Sequence, residues 1–130
     1  MSVLENVKVG MTGEASVVVA PDHTVGHFVP NMPMVFATPM MILLMERAAG
    51  ATIAPHLPDG YVSVGTEVNI RHLAATPVGH TVHAVARVTA IKGRSVMFAV
   101  EAWDGERKIG DGSHRRGVVN AAEFERRLAQ

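Results

Sequence analysis

Thr38–Ile53, TPMMILLMERAAGATI, holds six consecutive apolar residues, Met40 to Met45, and then a carboxylate, Glu46. Thr38 and Pro39 suit an N-cap and first helical position, because proline's missing N–H costs nothing there and its φ fits a first turn. Pro55 and Pro58 stop the pattern, so the segment predicts a helix running to about Ala54. Its first half is apolar on every side, the mark of a helix enclosed by other elements. A glutamate in that setting must reach solvent, pair with Arg47, or meet a buried partner, since an unpaired buried charge is costly. Glu46 shares a stripe with Ile42, Ala49, Gly50 and Ile53, so the third course requires a group on the sheet the stripe faces.

The rest of the chain supplies that sheet. Glu14 to Pro21 is β-branched and reads as a strand; Asp22 to Pro33, with two prolines and a glycine, reads as irregular. From Tyr61 the period becomes two, with Val62, Val64, Val68 and Ile70 on one face and Tyr61, Ser63, Glu67, Asn69 and Arg71 on the other. Thr81 to Ile91 sets Val82, Ala84, Ala86, Val88 and Ala90 against polar neighbours, and Ser95 to Trp103 does the same with Val96, Phe98, Val100 and Ala102. Lys92 to Arg94 and Asp104–Gly105 are turn signals. Lys108 to Val119 is a glycine-rich last strand, and Asn120 with Glu123 caps a short helix, Ala121 to Leu128. The expected order is one strand, a long helix, then four strands in a hairpin-connected antiparallel row, an α+β layer arrangement.

Composition narrows the function. The 130 residues suit a single domain, and 48% hydrophobic against 18% charged residues describes a folded globule. Twelve basic residues balance twelve acidic ones and only six are aromatic, which argues against nucleic acid or an anionic membrane as partner. The chain has no cysteine, so disulfides, thiolate metal sites and cysteine nucleophiles are excluded. No signal-peptide core and no stretch of roughly 18 apolar residues is read, so the expected location is cytoplasmic. One sheet over one helix is a small core, so a homodimer or a higher oligomer is expected.

Chemistry has few places to reside. Continuing the period-two count from Tyr61 brings His72 to the face that carries Val68 and Ile70, aimed, unless a bulge intervenes, into the layer that holds Glu46. A carboxylate and an imidazole meeting there would each make the other's burial tolerable. The bland alternatives are a solvent-reaching Glu46, a strand-end His72, a Thr38 that is only an N-cap, and a Gly65 that marks a bulge or a close backbone approach. His23 with His27 and His80 with His83 have ligand-like spacings but no completing carboxylate, so no metal is expected, and no motif calls for a cofactor. Met32, Met34, Met40, Met41 and Met45 read as adaptable core or pocket lining.

Three motifs in order, VFATPMMILLMERA, VGTEVNIRHLAATPVG and IGDGSHRRGVV, resemble the hotdog-fold thioesterases of the fluoroacetyl-CoA thioesterase type, from about Thr24 to Phe124. The resemblance implies an antiparallel sheet wrapped around a central helix, two protomers joined through their sheets, and acyl-CoA as substrate. It assigns the catalytic positions to Thr38, Glu46 and His72, and substrate contacts to Gly65 and Arg116. Glu46 would then attack the thioester or activate water, His72 would act as acid and base, and Thr38 would orient the attacking group. Backbone N–H groups near Thr38 or Gly65 would steady the oxyanion, and Arg116, with Arg115 or Arg71, would meet the CoA phosphates. The chain departs from that type in a shorter, methionine-rich HFVPNMPMVFA segment and in Pro39, where the type has glycine. The implied substrate is therefore a short or small acyl-CoA. Rival readings are a non-catalytic acyl-CoA or small-ligand binder and an enoyl-CoA hydratase, although the short Asp–His motif of the hydratases is absent.

Overall fold

The computed structural model describes residues 2–130. In chain order it contains β1 (Thr12–Val18), α1 (Val25–Phe28), α2 (Thr38–Ile53), β2 (Tyr61–His72), β3 (Thr81–Lys92), β4 (Ser95–Asp104), β5 (Arg107–Asn120) and α3 (Ala121–Leu128), with single 3-10 turns at Pro21–His23 and Ala54–His56. The five strands form one antiparallel sheet in the order β1-β3-β4-β5-β2, curled around α2. This is the hotdog arrangement that the resemblance implies.

The expected row of four hairpin-connected strands is corrected at one joint. β3, β4 and β5 do follow one another through two-residue turns, Gly93–Arg94 and Gly105–Glu106, each opened by a glycine at φ 60°. β2 instead pairs with β5 at the far edge of the sheet. Residues 73–80 are too long for a tight turn and cross over, pinned by Leu73 N–H to the Ile109 carbonyl (2.7 Å) and by Phe36 N–H to the Thr76 carbonyl (2.8 Å). That crossover, together with Ala37 N–H donating to the His23 carbonyl (2.9 Å), fixes where α2 begins.

The core lies between α2 and the concave face of the sheet. Met41, Leu44, Met45, Ala48, Ala49 and Ile53 pack on Val82, Ala84, Ala86 and Val88 of β3 and on Val96, Phe98, Val100 and Ala102 of β4. Small residues let the backbones approach; a Cβ on Gly13 would stand 2.8 Å from the Ala48 carbonyl. The helix is not enclosed on all sides, contrary to its all-round apolar sequence: a single sheet covers one flank, and Leu43 stays 47% exposed.

Two bulges correct the expected strand faces. Between Val88 and Ala90 the register slips, turning Ala90 outward and bringing Ile91 against the core. Between Gly65 and Glu67 the same happens in β2. Ser63 and Gly65 lie opposite Val118 and Arg116, while beyond the bulge Val68, Ile70 and His72 lie opposite His114, Gly112 and Gly110. Directly opposed residues in an antiparallel pair point the same way, so the inner face is odd-numbered before Thr66 and even-numbered after it. Val62 and Val64 therefore face outward, whereas His72 faces inward as expected.

Candidate active site

The start of α2 forms one half of the site. Ala37, not Thr38, is the N-cap, with extended φ −77° and ψ 142°, and no side chain caps the helix. Pro39 then occupies the second helical position. The Thr38 hydroxyl is thereby free for another task, and it hydrogen-bonds His72 Nδ1 at 2.8 Å across to β2. His72 Nε2 is buried and has no partner among the described residues. Burial pushes the His72 pKa below its ordinary value of 6.5, partly opposed by the Ala74 backbone, so the imidazole favours its neutral form. Thr38 and His72 border a cleft of about 370 Å³ whose other walls are apolar, including Val25, Val35, Phe36 and Leu73.

Glu46 forms the other half. Its side chain is one-third exposed at 32% and leans toward the β2–β5 pair. A Cβ at Gly65 would collide with the Glu46 carboxylate, so only glycine permits this approach. Arg116 Nη1 stands 3.6 Å from Glu46 Oε2, and its side chain is only 11% exposed. The other Arg116 donors bind Ser63: Nε to the hydroxyl and Nη2 to the carbonyl, both at 2.8 Å. His114, 3% exposed, lies beside them with Nε2 3.9 Å from Glu46 Oε2 and 3.2 Å from Arg116 Nη1. Its Nδ1 is 2.8 Å from the Glu67 carbonyl, which can only accept, so Nδ1 carries the proton. In the neutral ring Nε2 is then an acceptor for Arg116. Burial lowers the His114 pKa; the Glu67 carbonyl opposes this, Arg116 adds to it, and Glu46 opposes it. The cation paired with Glu46 is therefore Arg116.

The anticipated Glu46–His72 contact is absent from the single chain: Glu46 is held by Arg116, and His72 by Thr38. Both lie beside α2, but Glu46 comes eight residues after Thr38, about 12 Å along a helix axis. Arg116 is enclosed and its donors are turned inward, so its geometry does not suit the expected phosphate contact. Arg71 is bound to Asp111 (3.0 Å), and Arg115 leans toward Glu67 (3.5 Å). The spaced histidines go to separate partners, His80 to Asp104 (2.8 Å) and His83 to Ser16 (2.7 Å). His114 did not stand out in the sequence, although an alternation of Gly112, His114, Arg116 and Val118 places it on the face opposite Glu46.

The family model described as fluoroacetyl-CoA-specific thioesterase matches residues 19–122. The fluoroacetyl-CoA thioesterase of Streptantibioticus cattleyicolor is 37% identical over 132 aligned positions, covering 97% of this chain and 95% of that protein. A solved structure of a fluoroacetyl-CoA thioesterase superposes with a TM-score of 0.91 at 37% identity, covering 97% of this chain and 98% of that one. A thioesterase superfamily member from Thermus thermophilus superposes at 0.87 with 33% identity, covering 96% and 95%.

Proposed function

Because the chain belongs to the fluoroacetyl-CoA-specific thioesterase family, we propose that it hydrolyses the thioester of a short or small acyl-CoA. The observation that carries this reading is the 2.8 Å Thr38–His72 bond at the edge of an apolar cleft, with His72 Nε2 left unpartnered among the described residues. A buried imidazole nitrogen without a partner is unfavourable, and a bound thioester or an attacking water relieves it.

Glu46 attacks the acyl carbon to give a mixed anhydride and CoA thiolate, which water then hydrolyses; or it takes the proton of the water that attacks directly. In either route the attacking water supplies the proton. His72, neutral at rest, takes it directly when water opens the anhydride, or from Glu46 when water attacks the thioester. It passes that proton to the CoA thiolate, leaving the free acid and CoA thiol. Thr38 orients the reacting group, and the positive end of α2 beside the cleft favours the developing oxyanion. These roles need Glu46 to reach a Thr38–His72 pair, which two copies joined through their β2 edges supply. Support for that assembly comes from β2 being a sheet edge, with Val62 and Val68 at 44% and 40% exposure. No helix among the described residues is long and apolar enough to cross a membrane, and a cysteine-free chain acting on acyl-CoA suits the cytoplasm.

Thiol release over a panel of acyl-CoAs tests the reading. Turnover is expected, and Glu46→Gln and His72→Ala should each lower it more than about tenfold with the fold intact. Tight binding without turnover would make the protein a binder, and unchanged rates in both variants would remove the assigned roles.

A further inference from the structure

We propose that His114 and Arg116 are positioning residues that aim the Glu46 carboxylate, with the β2 bulge as their anchor. The proposal rests on the role given to Glu46 above and adds what holds it in place. Each link has only one direction. The Glu67 carbonyl can only accept, so His114 Nδ1 donates to it. That leaves Nε2 of a neutral ring as acceptor, and Arg116, which has only donors, fills it through Nη1 at 3.2 Å. Nε and Nη2 are held at 2.8 Å by the Ser63 hydroxyl and carbonyl. A planar guanidinium fixed at three nitrogens has no rotational freedom left, and its remaining contact is Glu46 Oε2 at 3.6 Å. The bulge serves the arrangement twice, since Gly65 on one side clears space for the carboxylate and Glu67 on the other presents the anchoring carbonyl. Stacking of the His114 ring on Phe98, with centroids 6.1 Å apart, fixes its plane. Arg116 thus acts through Glu46 and not on the phosphates of CoA.

Two amide substitutions separate this from a merely structural role. In His114→Gln the amide oxygen takes the place of Nε2 and keeps the acceptor for Arg116. In His114→Asn the amide reaches only the Glu67 side, and Arg116 loses that anchor. His114→Asn should lower kcat at least about fivefold with KM within about twofold, while His114→Gln should stay within about twofold of wild type. Ser63→Ala, a mild change on a half-buried strand, should lower kcat in the same way and keeps the test open if the His114 variants do not fold. Glu46→Gln combined with Ser63→Ala or His114→Asn should be no slower than Glu46→Gln alone, because the network has nothing left to aim. Wild-type kcat in both Ser63→Ala and His114→Asn, a loss seen in KM alone, or a further loss in the double variants overturns the proposal while leaving Glu46 catalytic. A wild-type rate in Glu46→Gln would instead remove the reading beneath it.

Discussion

His72 is half-buried and His114 is buried, and burial pushes the pKa of each below the ordinary 6.5. They act at different places, one bonded to Thr38 at the cleft and the other anchoring Arg116. Above pH 6.5 the two rings are mostly neutral whether the chain is folded or unfolded, so their contribution to stability is fully present there. As pH falls below 6.5, the unfolded chain takes up protons that the folded chain resists, and stability is lost until the lowered native pKa values are passed. The melting temperature should therefore decline between about pH 7 and pH 5, and His114→Gln should flatten part of that decline. Melts followed by circular dichroism over this range check it; an unchanged slope in His114→Gln would mean that His114 resists no proton.

At the scale of elements, the Thr66 bulge in β2 decides which side chains reach the site. Without it, one half of the strand would have to turn its faces over, sending either Ser63 and Gly65 or Ile70 and His72 outward. Deleting Thr66 should therefore lower thioester hydrolysis more than tenfold and lower the melting temperature, by roughly the loss of one strand's packing. Full activity in the deletion would show that the register tolerates the slip. The same bulge marks the limit of what the sequence discloses. The span of α2, the alternation in β4 and the terminal helix with its Asn120 cap read correctly because periodicity is local. The N-cap of α2 instead falls one residue earlier than the sequence suggests, at Ala37, where the chain is tied to His23. The pairing of β2 with β5 and the faces of Val62 and Val64 depend on a distant partner and an extra residue that no period-two count contains. Glu46 and His72 could be singled out because polar groups on apolar faces are conspicuous. Arg116 and Thr38 are named by the resemblance, but that they contact Glu46 and His72 respectively follows only from how β5 and the crossover at residues 73–80 are placed.

For the whole molecule, the separation of the two half-sites along α2 becomes a statement about assembly. A two-fold axis relating β2 edges gives one isologous interface with two equivalent sites, so whatever one copy contributes to its partner it also receives. If Glu46 serves the Thr38–His72 pair of the other copy, inactive variants should repair each other. A mixed dimer of Glu46→Gln with His72→Ala carries one site in which both substitutions meet and one in which neither does. Co-expressing the two at equal levels and purifying the mixture should recover roughly a quarter of wild-type activity, since half the dimers are mixed and each has one intact site. If both groups came from the same protomer, every site in the mixture would lack one of them and no activity would return. Thiol release from the co-expressed mixture, compared with a simple blend of the separately purified variants, distinguishes the two cases. The blend guards against trace wild-type protein, because it gains activity only as fast as subunits exchange.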